Sequence, residues 1–276
     1  MKDSIIVNFC PTGMIPTKEM TPHVPVSSNE IIEQVHEAYE IGITIAHLHA
    51  RDKNEVPTWD PEIYRDIFEG VRKHCPDLVI CGSTSGRNFP EFEKRSAVIE
   101  LQPDMCSLTL SSLNFVQKAS VNEPDMIRKL AEKMNEYGVV PELECFDLGM
   151  INFGKYLIKK SVLKGPYYWN LLFGNIAGFQ GTFDQIGAAL NAIPNDHFVS
   201  LAGLGSSQLP VNSTAIAMGL GVRVGIEDNI WWDKSKKQLC SNNQLLKRIH
   251  ELIALNQREF FTAKAFREQG FGNTLS

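Results

Sequence analysis

The chain has 276 residues, of which 43% are hydrophobic and 21% are charged, and its formal net charge is −5 at pH 7. A chain of this length can bury a large core and is common for an α/β barrel, so we expect residues 1–276 to form a single domain. The modest acidic balance, with no basic tract longer than residues 234–237, argues against nucleic acid or a membrane surface as a partner.

Hydropathy and cysteine spacing indicate a soluble, cytoplasmic protein. The first residues lack a long apolar region and a cleavage site, and no apolar stretch approaches the roughly 18 residues of a membrane span. No two cysteines have Cys-x-x-Cys spacing, so we expect them to be reduced packing residues without a disulfide or metal role. They are Cys10, Cys75, Cys81, Cys106, Cys145 and Cys240.

Short β-rich runs alternate with longer helical patterns along the chain. The predicted strands are Ile5–Phe9, Thr44–His49, Asp77–Cys81, Met105–Leu110, Val139–Phe146, Tyr168–Phe173, Phe198–Ala202 and Val222–Ile226. The predicted helices are Ser28–Ile41 (with Ser28 as its cap), Pro61–His74, Phe92–Leu101, Glu123–Tyr137, Met150–Leu163, Phe183–Ile193, Val211–Leu220 and Asn242–Leu255. Eight alternations with short links predict a (β/α)8 TIM barrel, because a doubly wound sheet more often uses about five or six strands.

Two histidines close the second predicted strand, in the segment Ala46–Asp52. Side chains alternate between the faces of a strand, so His47 and His49 project to the same side, about 7 Å apart along it. One interpretation is a buried strand end with two hydrogen-bonded core histidines. A same-face pair that ends an apolar strand and precedes Arg51 and Asp52 favours a metal site, without naming a reaction.

Polar residues lie at the ends of several other predicted strands. In a (β/α)8 barrel the catalytic groups gather at the carboxyl ends of the strands, so we expect one cluster. Its expected members are His47, His49, Ser83, Thr84, Ser85, Ser107, Thr109, Glu142, Glu144, Arg223, Glu227 and Asp228. Taken singly, most of these would be caps or solvated loop residues, and only their shared position indicates a site. Glu142 and Glu144 share one face of their strand, and at least one needs a cationic partner or a metal if it points inward.

The segment Gly221–Asn229 surrounds the end of the last predicted strand. Arg223, Gly225 and Glu227 alternate onto one face, and the adjacent Glu227 and Asp228 are expected to point apart. One carboxylate can complete a site of two histidines and a carboxylate, while the other, kept ionised and oriented by Arg223, transfers protons. A structural Arg-Glu pair is the competing interpretation, but it leaves the histidines unexplained.

Ordered blocks along nearly the whole sequence resemble the β-keto acid cleavage enzyme family, typified by 3-keto-5-aminohexanoate cleavage enzyme. The blocks are Pro11-Thr12-Gly13, Pro25-Val26, His47-Leu48-His49-Ala50-Arg51-Asp52, Pro103-Asp104-Met105, Ser112-Leu113-Asn114-Phe115, Pro141-Glu142-Leu143-Glu144, Arg223-Val224-Gly225-Ile226-Glu227-Asp228-Asn229 and Ser241-Asn242-Asn243-Gln244-Leu245.

The resemblance implies a zinc-containing barrel, usually oligomeric and here expected to be a homotetramer, whose zinc ligands would be His47, His49 and Glu227. It implies a reaction in which a β-keto acid and acetyl-CoA give acetoacetate and the CoA thioester of the remaining acyl part. The family's active-site positions fall on Ser83, Ser107, Glu144, Arg223 and Asp228. Ser107 is threonine in some relatives and retains the hydroxyl.

A chemical hypothesis assigns each of these positions a role. A Lewis-acid metal lowers the cost of forming an enolate between the keto and carboxylate groups, and Asp228, oriented by Arg223, removes the proton. Ser83 and Ser107 donate hydrogen bonds to substrate or developing oxyanions, and Glu144 orients substrate or groups near the metal.

Two stretches depart from the pattern of the family. Members acting on the amino-bearing substrate carry an acidic residue after the first Thr-Gly, where this chain has Met14 and Ile15, so we expect a less cationic β-keto acid with an apolar tail. The family often has Gly-x-Gly-Arg after strand seven, whereas residues 203–207 contain no arginine. Other residues would then have to hold the CoA.

Two other functions are compatible with the motif. A zinc hydrolase of the amidohydrolase type also uses His-x-His in a barrel, but it draws further histidines from later strands, which the remaining histidines here do not supply. A barrel that binds metal and an acidic metabolite without turnover is the other, although the spare base Asp228 argues against it. The same three ligands could hold Fe²⁺ or another divalent ion.

Overall fold

Eight parallel strands close into a barrel in the computed structural model, which describes residues 4–273. In chain order they are β1 (Val7–Phe9), β2 (Ile45–Leu48), β3 (Val79–Gly82), β4 (Met105–Thr109), β5 (Val140–Cys145), β6 (Tyr168–Phe173), β7 (Phe198–Gly203) and β8 (Gly221–Val224). Each strand pairs with the next, and β8 pairs with β1 through Arg223 and Asn8. The predicted (β/α)8 barrel is confirmed.

Helices follow the strands, and side-chain caps define where several of them begin. They are α1 (Ser28–Ile41), α2 (Pro61–His74), α3 (Phe92–Ser96, continued by a 3₁₀ turn, Ala97–Leu101), α4 (Pro124–Glu136), α5 (Leu148–Lys159), α6 (Phe183–Ala192), α7 (Gln208–Ala217) and α8 (Asn242–Leu255). The cap of α1 is Ser27, one residue before the predicted Ser28, because the Ser27 hydroxyl accepts from the Glu30 amide in a capping box.

Several predicted strands are longer than the barrel strands that form. The first is divided, since Ser4–Ile5 pairs with Glu259–Phe260 outside the barrel. The last ends at Val224, two residues early, because Gly225 lies against the carbonyl of Cys10, where a Cβ would clash with backbone. His49 lies just beyond β2 and precedes a short hairpin strand, Ala50–Arg51. These early ends place His49, Glu227 and Asp228 beyond the barrel strands, at the rim.

The last part of the chain covers the amino-terminal end of the barrel, a feature that the sequence did not predict. A short helix α9 (Ala263–Phe266) and a wide turn (Arg267–Phe271) carry aromatic rings onto Tyr168 and Phe198. The fully buried rings Phe266 and Phe271 stack on each other in this apolar cluster. The opposite, carboxyl-terminal end of the barrel is therefore the end at which a ligand can enter.

Asp104 joins the terminal segment to the barrel. Its buried carboxylate accepts hydrogen bonds from Arg72 at 2.6 Å and Arg267 at 2.5 Å, and from the backbone amides of Ile80 and Asn273 at 2.9 Å. Among residues 4–273, no helix is both long and apolar enough to cross a membrane.

Candidate active site

One cavity of about 350 Å³ lies at the carboxyl-terminal end of the barrel. All eight residues that were predicted as active-site residues or metal ligands line it. They are His47, His49, Ser83, Ser107, Glu144, Arg223, Glu227 and Asp228. Strand order explains the convergence, because β1 alone separates β2 from β8. The histidines and the Glu227-Asp228 turn are thus neighbours across the barrel mouth, although some 180 positions separate them in the chain.

His47, His49 and Glu227 form a cluster whose ligand atoms all lie within 4.8 Å of one another. The two Nε2 atoms are 3.3 Å apart, and His49 Nε2 lies 3.3 Å from Glu227 Oε1. Two ligands held about 2.0–2.1 Å from a tetrahedral ion lie roughly 3.3 Å from each other. The buried Glu227 Oε2 accepts no hydrogen bond from any described residue, which leaves it open to an ion. The donor set and its spacing fit a divalent metal.

Glu142 positions His47 from inside the barrel. Its Oε2 lies 2.7 Å from His47 Nδ1, and its Oε1 accepts from Asn8 at 2.6 Å and Asn170 at 3.0 Å. A carboxylate on one imidazole nitrogen fixes the tautomer and turns the other nitrogen toward a metal. Although burial alone would lower it, the Glu142 charge raises the pKa of His47 to about 8. The paired carboxylates of this strand predicted a cationic partner or a metal, but the sequence pattern did not identify His47 as that partner.

A second group of possible ligands, His47, Cys81 and Glu142, lies deeper in the barrel. Burial raises the pKa of the Cys81 thiol well above its usual value, so it stays protonated and donates to Glu142 at 3.3 Å. Glu142 is fully buried and its two oxygens already accept four hydrogen bonds, including that from Cys81. The rim cluster is therefore the better metal site.

Arg223 is the centre of the charge network. It donates from Nε to Asp228 Oδ2 at 2.9 Å, from Nη2 to Glu227 Oε1 at 2.6 Å, and from Nη1 to Glu144 Oε1 at 3.3 Å. The prediction that Glu227 and Asp228 point apart is wrong. The strand ends before them, so two-residue alternation does not apply and a turn brings both carboxylates to one guanidinium.

The carboxylates of this network differ in their pKa shifts. Burial raises the pKa of Asp228 above its usual value, against the Arg223 charge, and Glu227 raises it further. Burial and the Glu142 charge likewise raise the pKa of Glu144. For Glu227 burial opposes ionisation, but Arg223 and the imidazoles hold its pKa well below the usual range. Arg223 supplies one positive charge to three carboxylates, so a bound divalent cation would offset the negative charge that Arg223 leaves unpaired.

Ser83, directly after β3, and Ser107, within β4, both line the cavity. Ser83 Oγ accepts from the Ser85 amide at 3.3 Å, and Ser107 Oγ accepts from the Thr84 amide at 3.1 Å. Each oxygen is thus held by a backbone N–H while its O–H remains available to donate to a ligand. The Glu144 carboxylate is fixed from its other side by Thr109 Oγ1 at 2.8 Å.

The loop after β1 supports Glu227 and Asp228 by contacts that sequence analysis did not identify. Gly13, at φ 66°, lies so close to the Glu227 side chain that a Cβ there would clash with it. Arg51 fixes the loop by donating to the carbonyls of Gly13 at 2.7 Å and Pro16 at 2.9 Å. Cys10 donates to Asp228 Oδ2 at 3.3 Å. Gly13 and Arg51 both lie in sequence blocks that resemble the family, and those blocks were the signal by which these contacts could have been found.

Fold and site together define an enzyme of the (β/α)8 barrel class, with ionisable side chains and a group able to hold a metal at the carboxyl ends of its strands. The family model for beta-keto acid cleavage enzymes matches residues 4–269. The chain belongs to the β-keto acid cleavage enzyme family, as its sequence blocks predicted.

Relatives support this assignment over nearly the whole length. The 3-keto-5-aminohexanoate cleavage enzyme of Acetoanaerobium sticklandii is 31% identical over 267 residues, covering 96% of this chain and 97% of that one. The 3-oxoadipate:acetyl-CoA acetyltransferase of Cupriavidus necator is 32% identical and covers 85% of this chain and 83% of that one. A solved ternary complex of ObcA with a C4-CoA adduct and oxalate shares the fold, with a TM-score of 0.76 at 17% identity over 90% of this chain and 67% of that one.

Proposed function

We propose that this enzyme uses zinc and converts a β-keto acid and acetyl-CoA into acetoacetate and the CoA thioester of the remaining acyl group. The observation that carries the proposal is the juxtaposition, in one cavity, of the His47, His49 and Glu227 cluster with the Arg223-Asp228 pair. Family membership and relatives named for acetyl-CoA transfer support the reaction class. The donor set of two imidazoles and one carboxylate supports zinc, which takes nitrogen and oxygen ligands of this kind.

The chain's own residues supply acid-base groups and hydrogen-bond donors. Asp228 Oδ1 accepts a single 3.2 Å bond from Arg223, whereas Oδ2 accepts two, so Oδ1 is the oxygen that takes a proton from the carbon between the keto and carboxylate groups. The Ser83 and Ser107 hydroxyls donate to oxygens that gain negative charge. Glu144 holds Arg223 from the side opposite Asp228 and keeps the guanidinium plane fixed. When bound, zinc polarises the keto group as a Lewis acid.

The overall reaction balances without a further reactant. The substrate carbon that loses a proton to Asp228 forms a bond to the acetyl carbonyl carbon, and CoA leaves as the thiolate. The thiolate then adds to the original keto carbon, and the bond between that carbon and the acetylated carbon breaks. Asp228 returns its proton to the released acetoacetate carbon.

A neighbouring cavity of about 440 Å³ supports CoA binding by residues other than the absent arginine. Gly205, Asn229, Trp231 and Lys236 line both cavities, so a thioester in the first can continue into the second. Arg248 also lines the second cavity. We expect Lys236→Gln to raise the KM for acetyl-CoA several-fold, and an unchanged KM in steady-state kinetics would place the CoA elsewhere.

The decisive experiment compares wild type with Asp228→Asn. Zinc-loaded enzyme is incubated with acetyl-CoA and a panel of β-keto acids, and acetoacetate formation is followed. We expect wild type to form acetoacetate and the variant to bind one equivalent of zinc but to lose turnover. Turnover by the variant would refute the role of Asp228, and no product from any panel member would refute the proposed function. Elemental analysis distinguishes zinc from iron.

The amidohydrolase alternative lacks structural support. Apart from His47 and His49, no histidine of the described part of the chain lines the cavity. His197 instead accepts from Trp169 near the amino end of β7, and His36 stacks on His74 outside the barrel. The homotetramer and the cytoplasmic location stay predictions. Light scattering of the purified protein tests the first.

A further inference from the structure

Arg87 lies in the loop after β3, and its side chain lines the active-site cavity. Its guanidinium carbon lies 3.7 Å from the centroid of the Phe115 ring. Among residues 4–273, no carboxylate is within ion-pair distance of Arg87 and no acceptor takes a hydrogen bond from its guanidinium, whose Nε is buried. A cation partly removed from water is stabilised by an anion bound beside it.

The buried arginines around the cavity have partners within the chain. Arg223 contacts three carboxylates, and Arg51 donates to backbone carbonyls of the first loop. Arg95 donates to the Thr84 carbonyl at 2.9 Å and to Asn122 at 2.7 Å. Those three arginines hold the structure together. Arg87 makes no such contact among the described residues, and it lines the cavity that a substrate would enter.

The size of the cavity restricts which anion can reach Arg87. A sphere of 350 Å³ is about 9 Å across, which suits a short-chain acid. The phosphates of CoA are separated from its thioester by the whole pantetheine arm, which is longer than this span. Glu144 and Glu227 act on Arg87 only at a distance, since neither makes an ion pair with it. The anion is therefore part of the substrate that undergoes cleavage.

We propose that Arg87 binds the far carboxylate of a β-keto acid that carries a second carboxylate at the end of a short chain. This inference rests on the proposed function. For the methylene groups of the chain, the cavity offers the apolar side chains of Ile15, Leu113 and Phe115. The stacked ring of Phe115 holds the guanidinium plane so that its N–H groups meet a carboxylate edge. The predicted apolar tail thus ends in a negative charge.

The test compares 3-oxoadipate with 3-oxohexanoate, which has the same length and the same β-keto carboxylate but an uncharged far end. Dissociation constants are measured by calorimetry on the zinc-loaded enzyme without acetyl-CoA, and kcat and KM are measured with it. We expect the wild-type enzyme to bind 3-oxoadipate more tightly than it binds 3-oxohexanoate. Arg87→Gln should weaken that binding about 10- to 100-fold and leave 3-oxohexanoate unchanged, because a charge-assisted hydrogen bond is lost.

Lys236→Gln is the matched control, since it removes another cation that lines the cavity. Measured without acetyl-CoA, its affinity for 3-oxoadipate should equal that of wild type. Arg87→Lys, which keeps the charge but loses the planar donors, should fall between wild type and Arg87→Gln. Equal losses for both substrates, a rise confined to the acetyl-CoA KM, or no preference in wild type would each overturn the proposal. Because calorimetry needs no turnover, selective binding without acetoacetate formation would refute the proposed function and leave the Arg87 assignment standing.

Discussion

Replacing Glu142 with glutamine should weaken metal binding without disrupting the barrel. The carboxylate is fully buried and accepts directly from His47 at 2.7 Å, so no water can take its place. Loss of such a partner to a ligating histidine typically lowers metal affinity about 10- to 100-fold, or about 1.4–2.7 kcal/mol. Complete burial argues for the upper half of that range, because the lost charge is poorly screened.

The barrel should tolerate this substitution because two neighbouring amides can adapt. Asn8 and Asn170 both donate to Glu142, and the Oδ1 atom of each has no hydrogen-bond partner among the described residues. Rotation of either amide would let its oxygen accept from the new glutamine NH₂ group. Thermal unfolding followed by circular dichroism should therefore change little in the metal-free protein.

The assay is a competition titration of metal-free protein against a zinc indicator. Glu144→Gln is the comparison, because it changes the same residue type on the same strand but contacts Arg223 and Thr109 rather than an imidazole. We expect near wild-type affinity for that variant. Equal affinities for Glu142→Gln and wild type would show that the His47 contact does not orient a metal ligand.

Two further predictions concern stability. Asp104→Ala should lower the free energy of unfolding, measured by urea titration, by about 2–4 kcal/mol. The reason is that two arginines and two backbone amides lose their acceptor. A loss below about 1 kcal/mol would contradict the anchoring role of Asp104. Contacts with Lys18 and with the capping amides lower the pKa of Glu30 to about 2, although burial opposes the shift. Because the folded pKa is depressed, this contribution is present above about pH 4.5 and is lost as pH falls toward 2. After allowance for solvent screening, the contribution of Glu30 to the free energy of unfolding is about 1 kcal/mol. Lys18→Met should therefore reduce the loss of unfolding free energy measured between pH 5 and pH 2. An identical loss in the variant and in wild type would contradict the role of Lys18.

The sequence by itself predicted the barrel and named candidate site residues that line one cavity. Hydrophobic periodicity and breaker residues are local properties, so they predicted eight strand-helix units, with Pro61–His74, Tyr168–Phe173 and Asn242–Leu255 matching the structure at both ends. The two-residue period of a strand likewise placed His47 and His49 on one face. Since every barrel strand ends at the same rim, the rim residues could be named before their contacts were known.

Only the tertiary structure decided how those residues are paired. The contact of Glu142 with His47 spans 95 positions and that of Cys10 with Asp228 spans 218, and both depend on strand register and on where each strand ends. Gly225 ended β8 early through a backbone approach to Cys10, so alternation failed for Glu227 and Asp228. Arg87 became informative only when the folded chain was found to give it no anionic partner among residues 4–273. Such pairings depend on distances between elements remote in sequence, which local patterns do not encode.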